Sequence, residues 1–273
     1  MFELGWFSTA RGKGSRNLLT AVLDSIQTGE LKAKISFVFC SRDPGESAET
    51  DAFFELVKSH NIPLITFSYQ KYKAKVNGSD ETPGGSLPQW RLDYDSEVLK
   101  RLRPYNPQLC VLAGYMLIMG PEMCSRYNII NLHPATPWGP KGTWKEVIWE
   151  LIQQKTSETG AMIHLVTPEL DRGPVVSYCR FSIQADAFKP LWDSISGRTA
   201  AEIKAEEGEE NPLFKAIRHQ GTIRELPLIV RSIKAISEER VNICKGQITD
   251  NRGQAIAGYD LSSEIDRIIQ GRE

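Results

Sequence analysis

The sequence predicts an α/β protein, a Rossmann-like and mostly parallel sheet with helices on both faces, ending in a C-terminal β-hairpin. Two observations carry the sheet. Strand-type and helix-type signals alternate through the first two-thirds of the chain. The strand segments are near-continuous apolar runs, the pattern of parallel strands buried on both faces. A third observation, two β-type runs about Asp250-Asn251-Arg252-Gly253, predicts the hairpin.

In chain order, residues 2–7 form the first strand-like run, and Gly12-Lys13-Gly14-Ser15 leads into a helical pattern that ends near Gly29. Residues 35–40 are a second strand, broken by Ser41 to Gly45. Residues 50–59 read as a helix with Phe53, Phe54 and Val57 on one face. Residues 62–67 make a third strand. Residues 68–92 are polar and rich in lysine, glycine and proline, which predicts a long mobile loop or lid. A helix resumes at 95–102, and strands follow at 109–117 and 129–133. Residues 143–154 are an amphipathic helix, followed by strands at 160–167 and 175–183. Residues 184–210 are largely polar, end in an acidic run and predict a solvated surface segment. Residues 213–236 are helical in pattern, with Pro227 expected to break or kink them.

A chain of 273 residues can bury a sizeable core. A net charge of -1 gives no electrostatic reason to expect nucleic acid as a partner. The sequence contains no apolar run of ~18 residues, so no membrane span is expected. The start lacks the basic and apolar regions of a signal peptide, and a cytoplasmic location is the expectation. Five cysteines (40, 110, 124, 179 and 244) are odd in number and have no CxxC spacing, so neither disulfides nor zinc are expected. Cys40, Cys110 and Cys179 stand in apolar runs and read as buried hydrophobes. No cluster has metal-ligand spacing, and no Gly-x-Ser-x-Gly marks a serine nucleophile.

Three constellations can carry chemistry. In Asn131-Leu132-His133-Pro134 the strand period of two puts Asn131 and His133 on one face, at the carboxyl end of their strand. That is where open α/β sheets bind ligands. An amide donor beside an imidazole suits a reaction in which a carbonyl oxygen gains charge. The plainer reading is a polar strand end satisfied by loop backbone. Leu170-Asp171-Arg172-Gly173-Pro174 reads first as a tight turn. A carboxylate near His133 would fix its tautomer and raise its pKa, but sequence cannot show that they meet. Gly12 to Asn17 is neither a Walker A loop nor GxGxxG; it is open to a phosphate cradle or to a β–α turn with its N-cap at Ser15. His60 and His219 are expected on helix surfaces or ends. His164 sits in an apolar strand and reads as a satisfied core residue before a site residue. Trp138, Trp144 and Trp149 read as packing.

Together these pieces resemble the folate-dependent formyltransferases, nearest the branch that acts on glycinamide ribonucleotide. Gly14-Ser15 with Asn17-Leu18 looks like the family's phosphate loop. Leu112 to Met119 resembles its folate-contacting strand end. Asn131-Leu132-His133-Pro134 looks like its Asn-x-His-Pro, and Leu170 to Val175 is similar to its Asp-x-Gly-Pro element, following a Gly-x-x-x-His-x-Val strand matched by Gly160 to Val166. The resemblance implies a formyltransferase fold in one domain, with residues 1–110 as a phosphate-binding half. Residues 111–183 would be the folate-binding and catalytic half, and 184–273 a polar insertion, helix and hairpin.

It further implies that a primary amine bearing a phosphate attacks the formyl carbon of 10-formyltetrahydrofolate, without a metal. Asn131, His133 and Asp171 would be catalytic. Met116, Leu117, Ile118 and Met119, with Asn131 and Asp171, would hold the folate, and Gly14, Ser15 and Asn17 the phosphate. The resemblance is silent between monomer and homodimer. Arg16 looks inserted in the glycine loop, Ala135 to Gly142 departs from the family's loop after the histidine, and Thr222 to Pro227 stands where a Glu-His pair precedes Tyr-Pro. These departures leave the amine open. Another amine such as an amino sugar, formyltetrahydrofolate hydrolysis, and non-catalytic folate or nucleotide binding are the alternatives.

Overall fold

The computed structural model describes residues 1–80, 86–185, 187–244 and 246–271. Its strands are β1 (Phe2–Ser8), β2 (Ala33–Cys40), β3 (Leu64–Thr66), β4 (Leu109–Leu112), β5 (Ile129–His133), β6 (Glu158–Leu165), β7 (Val175–Ser182), β8 (Val241–Cys244), β9 (Gln247–Asp250) and β10 (Tyr259–Asp260). Its helices are α1 (Lys13–Gln27), α2 (Ala48–Ser59), α3 (Tyr69–Lys75), α4 (Gln89–Leu102), α5 (Pro121–Arg126), α6 (Trp144–Gln154), α7 (Lys189–Ser194), α8 (Ala200–Glu206), α9 (Pro212–Ser237) and α10 (Ser262–Gln270).

Eight strands form one sheet in the order β10-β7-β6-β5-β4-β1-β2-β3, and β8 pairs with β9 separately. All neighbours in the large sheet run parallel except at β6, which is antiparallel to both β5 and β7. The apolar runs explain why this sheet is covered twice. Leu4, Trp6, Val38 and Val111 pack with Leu19, Phe53 and Val57 of α1 and α2 and with Leu228 and Ile233 of α9. Phe7, Phe37, Phe39 and Cys110 pack on the opposite face with Tyr94, Val98 and Leu102 of α4 and Met123 of α5. Each large side chain fully buried here contributes roughly 1.5–3 kcal/mol. A third cluster joins α6, α7, α8 and the first half of α9.

Several expectations are corrected. α1 begins at Lys13 with Gly12 as a cap that has no side chain, so Ser15 lies inside the first turn and is not the N-cap. β4 stops at Leu112 rather than 117, because Gly114 at φ +66° turns the chain. Residues 68–92 are not one loop. Ser68 caps α3, and α4 starts at Gln89 because Trp90 and Tyr94 supply it with a buried face; the stretch 81–85 lies outside the described residues. The segment at 184–210 is largely exposed, as expected, and is built of α7, α8 and a 3-10 turn at Gly208–Glu210. Phe188, Ile195 and Ile203 anchor it inward, while Glu206 and Glu207 pair with Arg198 at the surface. Pro227 does not break α9, which continues through it with the proline buried. The chain doubles back about 250–253 as expected, with Thr249 bridged antiparallel to Ala255 and Asp250 accepting from the backbone N–H of Arg252 and Gln254, and a further hairpin, β8 with β9, turns at Gly246 (φ +78°). The chain then returns to the large sheet as β10 and ends in α10, whose Ile265 is buried.

Candidate active site

β5 carries Asn131 and His133 on one face and ends at His133. The β5–β6 register places Asn131 opposite His164 and His133 opposite Met162. Residues directly opposite in a ladder put their side chains on the same face. Asn131 Nδ2 accordingly lies 3.3 Å from His164 Nε2. His164 donates from Nδ1 to the Leu165 carbonyl at 3.1 Å. A carbonyl can only accept, so Nδ1 carries a proton, and Nε2 is left facing both the Asn131 amide and the Asp171 carboxylate. By the same logic His133 Nε2 donates to the Pro140 carbonyl at 3.2 Å, which leaves Nδ1 as its free nitrogen.

Asp171 completes the group. Its Oδ1 is 3.4 Å from His164 Nε2 and its Oδ2 is 3.9 Å from His133 Nδ1. The carboxylate therefore stands between two imidazoles. It gets there through the connection from β6 to β7, which folds back toward β5. The Val166 N–H donates to the Ile129 carbonyl at 2.7 Å, and the Leu165 N–H to Pro174 O at 2.9 Å. Asp171 itself lies at φ +51°, a left-handed conformation that aspartate tolerates better than most residues. The segment is a turn, as its sequence reads first, and that turn brings the Asp171 carboxylate beside both imidazoles. Both histidines are buried, and Asp171 is mostly buried.

Burial holds the His133 pKa below its ordinary value, although the Pro140 carbonyl and Asp171 both pull the other way. The expected rise from Asp171 is real as an influence but is outweighed by desolvation. Asp171 is held below the usual carboxylate range, first by its hydrogen bond with His164, against the opposing effect of burial. At neutral pH the site therefore contains an ionised carboxylate and a neutral His133.

His164 corrects the plainer sequence reading. It is buried, as a core residue would be, yet it contacts both Asn131 and Asp171. The signal that would have found it is the antiparallel register of β6, which sequence alternation does not reveal.

The other sequence-selected residues separate into two places. Gly14 is exposed and Ser15 buried at the start of α1. A Cβ on Gly114 would stand 2.4 Å from Ser15 Oγ, so the first turn of α1 is packed onto the chain leaving β4. Thr9 ties the same place together: its N–H donates to the Gly114 carbonyl at 3.1 Å and its hydroxyl accepts from the Met116 N–H at 2.9 Å. Arg16 turns away to Glu49, at 2.6 Å from the carboxylate. Asn17 faces α9 instead, in a cavity of about 470 Å³ with Pro227 and Arg231. Of the 116–119 segment, Met116 is exposed, Leu117 and Ile118 are half-buried, and Met119 points into the core.

Among the described residues five large apolar side chains are exposed, and three of them, Met116, Trp138 and Leu170, come from the connections after β4, β5 and β6. A cavity of about 670 Å³ adjoins the loop after His133, lined by Thr136, Trp138, Pro140, Lys141 and Glu150. A slightly larger one, about 690 Å³ between Ile152, Trp192 and Ile203, is formed by residues of the 184–210 segment and α6 and contains none of the site residues. Trp144 and Trp149 pack on Phe214, as packing residues would. The described cysteines are free. No group of three metal-ligating side chains occurs among the described residues. No helix among them is long and apolar enough to cross a membrane.

An amide donor and two imidazoles on strands of a doubly covered sheet, with a carboxylate from the adjoining turn, equip an enzyme that attacks a carbonyl carbon and stabilises the oxyanion formed. The chain belongs to the formyl transferase family, whose model matches residues 11–189. It is similar to the phosphoribosylglycinamide formyltransferase of Schizosaccharomyces pombe, with 31% identity over 192 residues, spanning 67% of this chain and 86% of that protein. The Escherichia coli enzyme of the same name is 28% identical over 177 residues, 64% of this chain and 71% of that protein. The fold matches the phosphoribosylglycinamide formyltransferase of Coxiella burnetii with a TM-score of 0.66 at 20% identity, covering 95% of this chain and 98% of that one. A formyltetrahydrofolate deformylase from Pseudomonas syringae shares the fold at a TM-score of 0.61 and 18% identity, covering 91% of this chain and 65% of that one.

Proposed function

We propose that this protein transfers the formyl group of 10-formyltetrahydrofolate to the primary amine of glycinamide ribonucleotide, a one-carbon step of purine biosynthesis. The convergence of Asn131, His133, His164 and Asp171 within hydrogen-bonding or ion-pair distance carries the reading. The relatives named for this reaction support the choice of amine.

The amine nitrogen attacks the formyl carbon, the C=O bond becomes a C–O⁻ bond, and the nitrogen becomes cationic. Asn131 donates its amide N–H to the oxyanion; removal of one such donor typically costs ~10²–10³ in rate. Neutral His133 takes a proton from the amine at Nδ1, and the imidazolium so formed faces Asp171. That proton then passes to the folate nitrogen as its bond to the formyl carbon breaks. Asp171 thereby acts by stabilising the charged form of His133, and His164 holds Asp171 and Asn131 in register.

The exposed apolar side chains of Met116, Trp138 and Leu170 suit a flat heteroaromatic ring beside the site, and the backbone of 116–119 offers it hydrogen bonds. The start of α1, with no side-chain cap, leaves N–H groups for the substrate phosphate at Gly14 and Ser15. On this reading residues 1–110 hold the phosphate and 111–183 the folate and the chemistry, in one domain.

Purified protein mixed with 10-formyltetrahydrofolate should release tetrahydrofolate only when glycinamide ribonucleotide is present. Release without any amine would make it a hydrolase. Release with an amino sugar but not with glycinamide ribonucleotide would replace the substrate, and no turnover with any of them would leave a binding protein.

A further inference from the structure

The 113–120 segment is held at its far end by a charged pair that no step above uses. Arg91 and Asp95 lie one turn apart on α4, with their side chains 5% and 2% exposed and Arg91 Nη2 3.0 Å from Asp95 Oδ1. Such pairs are costly to bury. Several kcal/mol of desolvation per ion is common, and an apolar replacement is often as stable. Burial accordingly pushes the Asp95 carboxyl up, against the opposing charge of Arg91.

What distinguishes this pair is where its remaining hydrogen bonds go. The same Arg91 nitrogen donates to the Ile118 carbonyl at 2.7 Å, and Asp95 Oδ2 accepts from the Gly120 N–H at 2.7 Å. The guanidinium also lies against the Trp90 and Tyr94 rings, at 5.4 and 5.2 Å from their centres. Gly120 adopts φ −73°, open to any residue, so conformation does not call for glycine there. Space does: a Cβ on it would stand 2.9 Å from Asp95 Oδ2. Thr9 fixes the near end at Met116 and the Arg91–Asp95 pair fixes the far end at 118 and 120. Leu117 and its neighbours are thus stretched between two rigid elements, the end of β1 and the middle of α4.

We infer that Arg91 and Asp95 are positioning residues for the co-substrate: they set the backbone of 116–120 at the height at which it holds the folate ring. This rests on the assignment of that segment to folate. Charged hydrogen bonds to a binding loop serve this purpose because the loop must hold its place within about 0.5 Å for the reacting atoms to meet.

The test uses the double variant Arg91→Met/Asp95→Leu, which removes both charges together and so leaves neither one buried without its partner. Its KM for 10-formyltetrahydrofolate and its calorimetric Kd for tetrahydrofolate should rise by ~10-fold or more, the weight of two lost charged hydrogen bonds. Its KM for glycinamide ribonucleotide should stay within about two-fold, since the α1 end of the site is untouched. Asp95→Asn, which keeps the side-chain volume, is the second arm and should show the same split if the double variant melts poorly. Ser232→Ala, which removes a buried hydroxyl bonded to Ser177 away from the segment, is the control for lost stability alone. Folate parameters unchanged in folded variants, or both KM values raised together as in the control, would overturn the positioning role. A wild-type protein that binds no tetrahydrofolate would overturn the folate assignment, and the positioning role with it.

Discussion

Gly173 offers a direct probe of how Asp171 is delivered. A Cβ built on it would lie 1.6 Å from the carbonyl oxygen of Leu165, where real Cβ contacts essentially never fall below 3.0 Å. Gly173→Ala therefore has to open the turn by about 1.4 Å, and the obstacle is backbone rather than a pliable side chain. Asp171 is two residues away and already sits in a left-handed conformation. A displacement of ~1 Å at a catalytic group can cost ~10²-fold in rate, so kcat/KM should fall by that order. Overpacking typically costs ~1–3 kcal/mol, and each kcal/mol lowers Tm by roughly 2–4 °C in a chain of this size. Gly160→Ala separates the two effects. Its Cβ would stand 2.0 Å from the Cys179 carbonyl in the same strand pair, but at the end remote from Asp171. Steady-state kinetics and thermal melts should show both variants destabilised and only Gly173→Ala inactivated. Wild-type kcat/KM in Gly173→Ala, or equal losses in both, would refute the claim that this turn works by placing Asp171.

Three further outcomes follow from the geometry. His133 and Asp171 both have folded pKa values below their unfolded ones, so each contributes stability that is present above its ordinary pKa and lost as pH falls. Melts from pH 7 downward should show a decline beginning near the ordinary histidine value of 6.5, and His133→Gln should flatten that limb; an unchanged profile contradicts the depressed value. Gly114→Ala meets Ser15 Oγ and an unfavourable φ, costing ~1–2 kcal/mol. It should raise KM for the phosphorylated amine more than for folate, and adding Ser15→Gly should recover part of the loss; no recovery would place the damage elsewhere. Thr143 and Glu146 form a reciprocal cap on α6, so Thr143→Ala should cost ~1 kcal/mol in urea unfolding. Since neither residue touches the site group, kcat should hold, and a large kcat loss would show that α6 controls the loop after His133.

The sheet was legible because its strands are buried on both faces, and an unbroken apolar run such as Phe37-Val38-Phe39 has few other uses. Asn131 and His133 were legible for a related reason: alternation and Pro134 fix their direction and the end of their strand. Asp171 was not, because a turn motif does not say which strand it folds back to; only the family resemblance joined it to His133. His164 escaped because its partner is set by an antiparallel register inside a chain that reads as parallel. Residues 68–92 were misjudged as one loop because polar composition hid the anchor Trp90, whereas 184–210 is largely exposed as read and only its few inward side chains, Phe188 and Ile203 among them, went unseen. Tertiary burial of a few side chains there outweighs local composition. The turn at 250–253 was legible from Asp250 and Gly253, while the one at Gly246 was not, because a lone glycine in a strand-like run does not by itself announce a turn.

The claim at the centre is that a formyl carbon moves from folate to an amine at Asn131, His133 and Asp171. It is tested most directly with 10-formyltetrahydrofolate labelled with ¹³C in the formyl group. With glycinamide ribonucleotide and the wild-type protein, the label should appear by NMR as a formamide carbon on the ribonucleotide, and His133→Ala should abolish that signal while still binding tetrahydrofolate. Label released as free formate, or a formamide signal of undiminished rate from His133→Ala, would contradict it.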